Sequence, residues 1–66
     1  MDFIEKARIK FNHWMKHNED HQEEYEKFAN QLEEAGKKKS AEHVRKMKEL
    51  TVQINDCLKK ALAALD

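Results

Sequence analysis

The chain has 66 residues with no proline, one glycine and one cysteine, and its 13 basic residues balance 13 acidic ones. That length allows one domain, taken as residues 1–66; the single Cys57 excludes an intrachain disulfide, and the charge balance argues against nucleic acid, which needs a net basic face. So short a chain seldom buries enough apolar surface to stand alone, and the remaining remedies are a bound metal or a partner chain.

The first element is a long helix over about residues 2–35. Asp2 and Glu5 have the acceptor-x-x-Glu spacing of a capping box. Ile4, Ala7, Phe11, Trp14, Asn18, His21, Tyr25, Phe28, Leu32 and Ala35 then recur at alternating spacings of three and four. At about 1.5 Å per residue such a helix is roughly 50 Å long. Eight of these positions are apolar or aromatic. Asn18 and His21 interrupt the stripe at its middle, with His17 beside them.

Gly36 suits the left-handed residue that ends a helix. Lys37, Lys38 and Lys39 follow it and complement the negative end of the helix dipole, so residues 36–39 read as a turn. A second helix is expected over about residues 40–65, with Ser40 as its N-cap. Its stripe is Val44, Met47, Thr51, Ile54, Leu58, Ala61 and Leu65, widened by Leu50, Cys57 and Ala64. Glu23–Lys27, Glu33–Lys37, Glu34–Lys38, Glu42–Lys46 and Asp56–Lys60 are acid-to-base pairs four apart, as on solvated helix faces.

A short turn returns the second helix antiparallel to the first. Folding there sets Leu32 against Val44, Tyr25 against Thr51, Asn18 against Leu58 and Phe11 against Leu65. His21 then falls near Ile54 and Asn55, and the Asn55 amide can bond the polar break. Phe3, Met15, Leu50, Cys57 and Leu62 lie beside the paired stripes, where a single hairpin leaves them wet. The expected fold is therefore all-α: an antiparallel helical hairpin that dimerises into a four-helix bundle. Trp14, Tyr25 and Phe28 are read as packing residues, and Met15 and Met47 as gap-fillers at the bundle edge.

The polar break admits two readings. In the first, Asn18, His21 and Asn55 exchange hydrogen bonds and set helix register, as a buried asparagine does in coiled coils. In the second, His17 and His21 form a metal pair: two imidazoles four apart share a helix face, and Glu24 projects on the same side. Asp20 is a further carboxylate within reach. Zn²⁺, Ni²⁺ or a non-haem iron accepts such nitrogen and oxygen ligands. His13 is about 12 Å from His21 along the axis, too far to share an ion with it, and His43 lies far from the cluster. No nucleophile elbow, phosphate loop or glycine-rich turn is present, so no enzyme is expected. Cys57 reads as a small packing residue, and Ser40 and Thr51 are explained by capping and packing.

The stretch Trp14-Met-Lys-His17-Asn18-Glu-Asp-His21-Gln-Glu-Glu-Tyr25, with Gly36 at the turn and Asn55 in the second helix, resembles a family of small domains of unknown function. These domains occur in archaea and anaerobic bacteria, alone or appended to nickel-handling accessory proteins. The resemblance implies a helical hairpin in a metal-related context and no catalytic residues. His17-x3-His21 followed by Phe28 also looks like one helix of hemerythrin-like diiron bundles, but the second helix offers only His43 and acids poorly placed to meet His21.

The expected function is a structural or protein-interaction module that pairs with itself or a partner protein. The alternative is a metal-binding or metal-carrying protein. A lone thiol, the absence of a leader-like run at Met1–Arg8 and the lack of roughly 20 consecutive apolar residues suggest a cytoplasmic protein without membrane contact.

Overall fold

Asp2 begins the fold as the capping box requires: its carboxylate accepts the Glu5 N–H at 2.9 Å and closes the first turn. In the computed structural model, which describes residues 2–65, helix α1 spans Phe3–Glu34 and helix α2 spans Lys38–Ala64. Met1 and Asp66, the ends of the expected 1–66 domain, lie outside the described residues. The two helices pack against each other as an antiparallel hairpin of 51 × 17 × 10 Å, and no strand occurs among the described residues.

The turn is tighter than the sequence suggests. Gly36 adopts φ +80°, the Lys37 N–H donates to Leu32 O at 2.8 Å, and the Gly36 N–H donates to Glu33 O at 3.0 Å. These two bonds satisfy carbonyls that the end of α1 would otherwise leave open, in the Schellman arrangement. With the turn complete at Lys37, α2 starts at Lys38 and Ser40 falls inside its first turn rather than capping it; Lys37 occupies the cap with no side-chain bond. The shorter turn also moves the register, so Asn18 meets Asn55 and not Leu58.

The packed line runs through small residues. Ala29 and Ala41 are fully buried near the turn, Ala7 is buried toward the opposite end, and among the described residues no large side chain is fully buried. Between them, Met15, Asn18, Gln22 and Tyr25 of α1 and Lys48, Thr51, Asn55 and Leu58 of α2 are buried or half-buried. Each helix is thus turned by roughly 50° from the orientation in which the three-four stripe would face its neighbour. Trp14, Phe28 and Ile54, expected inside, are 45%, 56% and 51% exposed, and Met47, expected at the bundle edge, is 44% exposed.

The rotation gives the hairpin two unlike faces. On one, Arg45 donates to Asn30 Oδ1 at 2.9 Å and to Glu33 Oε2 at 3.2 Å, and Lys48 reaches Glu26 Oε2 at 3.4 Å. Glu33, expected to pair with Lys37 along its own helix, pairs across the hairpin instead. On the other face stand Trp14 and Phe28 from α1 and Met47, Leu50 and Ile54 from α2. In an antiparallel pair, equivalent angular positions of both helices point to the same side, which is why these residues collect there.

The left-handed turn carries a cost for any side chain. Open space surrounds the position of a Cβ at Gly36, so Gly36→Ala should lose only conformational energy, about 1–2 kcal/mol. Urea unfolding followed by circular dichroism should show a lower midpoint with unchanged helix content. An unchanged midpoint would mean that the turn does not need φ above zero.

Candidate functional site

The polar break sits at mid-length of the hairpin and resolves into two adjoining parts. In the interhelical part, the Asn18 Nδ2 donates to Asn55 Oδ1 at 2.9 Å, and the Asn55 Nδ2 donates to Met15 O at 3.1 Å. Asn55 is 6% exposed, so its amide had to find partners inside the fold, and both of its polar atoms have one. A buried amide bonded to both a side chain and the backbone of the facing helix tolerates neither a slide nor a rotation of α2.

The second part lies on the apolar face. His17 and His21 approach through their Nε2 atoms at 2.7 Å, the distance of an N–H···N hydrogen bond with one ring donating. Their rings meet edge to face with centroids 4.4 Å apart, and His21 stacks on Tyr25 at 5.7 Å with 10° between planes. His21 Nδ1 is shut off from solvent without a hydrogen bond. Glu24 Oε2 is the nearest charge to it, at 3.6 Å. Glu24 therefore stands at the opposite edge of the His21 ring from the paired Nε2 atoms. It can orient the ring through Nδ1 but does not converge with the Nε2 atoms on one point.

The other candidates are placed apart. His13 keeps its ring 6.5 Å from that of His17 and stands exposed, and His43 is exposed near the start of α2. Asp20 turns to Lys16 at 3.4 Å. Trp14 packs its ring 5.9 Å from Phe11 with the Lys10 ammonium 5.8 Å above it, and a shallow apolar depression formed with Phe3, Ala7, Phe11 and Leu65 adjoins it at the open end of the hairpin. Cys57 is exposed. Among the described residues, no group of three or more His, Cys, Asp or Glu side chains is arranged to hold a metal ion. None of the helices is long and apolar enough to cross a membrane.

The sequence sets Asn18, His21 and Asn55 together; in the structure Asn18 bonds Asn55, while the His21 ring turns to His17 instead. The sequence also places Ile54 inside and Asn55 one step off the seam. The width of the α2 stripe, through Leu50, Cys57 and Ala64, was the available signal that a second apolar face exists.

A family model described as Domain of unknown function (DUF8180) matches residues 7–65, which take in most of both helices, the turn and the polar break. The chain belongs to that family. No curated protein and no solved structure matches it. The family description carries no activity, metal or lineage.

The asparagine bridge makes a paired prediction. Asn55→Ala should lower the unfolding free energy by about 1–3 kcal/mol, because it strands the Asn18 amide and removes a bond to Met15 O. Replacing both asparagines by leucine should recover most of that loss, since no polar group is left unpaired. Chemical denaturation of the two variants checks this; equal destabilisation of both would contradict a polar origin.

Proposed function

We propose that this DUF8180 chain is a protein-interaction module rather than an enzyme, and that it self-associates face to face as a homodimeric four-helix bundle. The observation that carries this reading is the unpartnered apolar face of Trp14, Phe28, Met47, Leu50 and Ile54, each 44–56% exposed on one side of the hairpin. Single exposed apolar residues such as Ile9 or Val52 are ordinary; five large ones gathered on one face are the mark of an interaction surface.

Areas support a second copy as the occupant. The hairpin exposes 5238 Å², against roughly 4,400 Å² for a compact chain of its 7.9 kDa mass. The excess of roughly 800 Å² is what one partner contributes to an interface of standard size. A zero net charge imposes no overall repulsion between copies. Sedimentation equilibrium at micromolar concentration should give about 16 kDa, twice 7.9 kDa. Ile54→Lys, which charges the centre of the face without touching the asparagine bridge, should shift the mass toward that of one chain. A folded single-chain mass for the unaltered protein would reject self-association and leave the face to a different protein.

A second reading, metal binding, is supported by the convergence of two imidazole nitrogens at His17 and His21. Such a pair suits Zn²⁺, Ni²⁺ or Fe²⁺, with Glu24 beside the distal nitrogen of His21. Titration calorimetry with Ni²⁺ or Zn²⁺ should show saturable binding that His17→Ala and His21→Ala both remove. No binding tighter than about 10 μM, some 7 kcal/mol, would reject it.

A further inference from the structure

We infer that the His17–His21 pair is half of a cation site, completed by the same pair of a second copy. One divalent transition ion would then be held by four imidazole Nε2 atoms at the middle of the dimer. This inference rests on the self-association reading, and the test below separates the two.

The first ground is incompleteness. Four-coordinate ions such as Zn²⁺ take four protein ligands in structural sites. Here two nitrogens converge, and among the described residues no third ligand joins them. Glu24 is at the wrong edge of the ring to serve, but a carboxylate beside the distal nitrogen of a ligating histidine is the usual outer support of such a site. The Tyr25 stack fixes the same ring from the other side. The present Nε2–Nε2 distance of 2.7 Å is that of a hydrogen bond, and a small rotation of either ring opens it to the roughly 3.3 Å that bonds of about 2.0–2.1 Å to a tetrahedral ion require.

The second ground is position. Two rods that pack antiparallel with full overlap have their two-fold axis at mid-rod. Helix α1 spans Phe3–Glu34, so its middle falls between Asn18 and Glu19, and His17 and His21 straddle that point. The Asn18–Asn55 bond sets the same level at Ile54 on α2. A two-fold axis there, perpendicular to the rods, brings His17 against the partner's His21 and His21 against the partner's His17. On the other helix it sets Ile54 against the partner's Ile54 and Met47 against the partner's Ala61. The histidine pair of the apolar face thus lies where the symmetry of the dimer duplicates it.

The experiment uses the full chain and Zn²⁺ as probe. Calorimetry and sedimentation equilibrium, run with and without the ion, should give one Zn²⁺ per two chains in a species of twice the single-chain mass. His17→Ala and His21→Ala should each abolish saturable binding while the ion-free dimer persists, and Glu24→Gln should weaken binding about 10-fold without changing the stoichiometry. One Zn²⁺ per chain, binding that survives loss of either histidine, or no saturable binding by a dimeric protein would overturn the shared site and leave self-association standing. A chain that remains a monomer with and without Zn²⁺ would overturn both.

Discussion

A buried amide is the constraint on which this hairpin depends. Asn55 is almost wholly enclosed, and an unbonded amide there would cost more than most single contacts return. The fold meets that demand by placing Asn18 and the Met15 carbonyl opposite it. Once Asn55 points inward, its neighbour Ile54 cannot, and Met47, two helical turns earlier on the same side, is carried outward with it. At the register that the turn sets, the rotation of α2 and the composition of the outer face follow from one hydrogen-bonded side chain.

The energetics of a single copy are accordingly thin. Its fully enclosed apolar residues are alanines, and its larger side chains keep part of their surface in water. The ion pairs that join the helices on the polar face, Arg45 with Glu33 and Lys48 with Glu26, are partly exposed and contribute about 0–1 kcal/mol each. Covering the apolar residues left on the opposite face would add burial that the interior does not supply. The proposed second copy would cover them without a new surface, since an apolar face on a rod of zero net charge complements itself.

Much of this was legible in the residues. The stripe from Phe11 to Leu32 specified a long helix, Asp2 and Gly36 marked its ends, and the brevity of the turn required an antiparallel return. The pairing of the polar break with Asn55 was legible in outline. What the sequence left open was rotation. Residues 54 and 55 are adjacent, one aliphatic and one amide, and periodicity alone favours burying the aliphatic one. The choice of the amide depends on a partner, Asn18, whose level on the other helix is set by the exact length of the turn. The sequence puts Asn55 one step off the seam, and in the hairpin rotation of the helix brings it in to 6% exposure. For the same reason Trp14 and Phe28 read as interior residues in the sequence, while in the hairpin they stand on its surface.

The histidines acquire their meaning from this rotation. His17 and His21 lie on the apolar face with their Nε2 atoms together, at mid-length of a 51 Å rod. Small-angle X-ray scattering at micromolar concentration tests the face-to-face dimer most directly. The expected result is a scattering mass of twice 7.9 kDa with a longest dimension still close to 51 Å, as for two rods laid side by side. A single-chain mass, or a doubled mass with a length well beyond that of one hairpin, would contradict it.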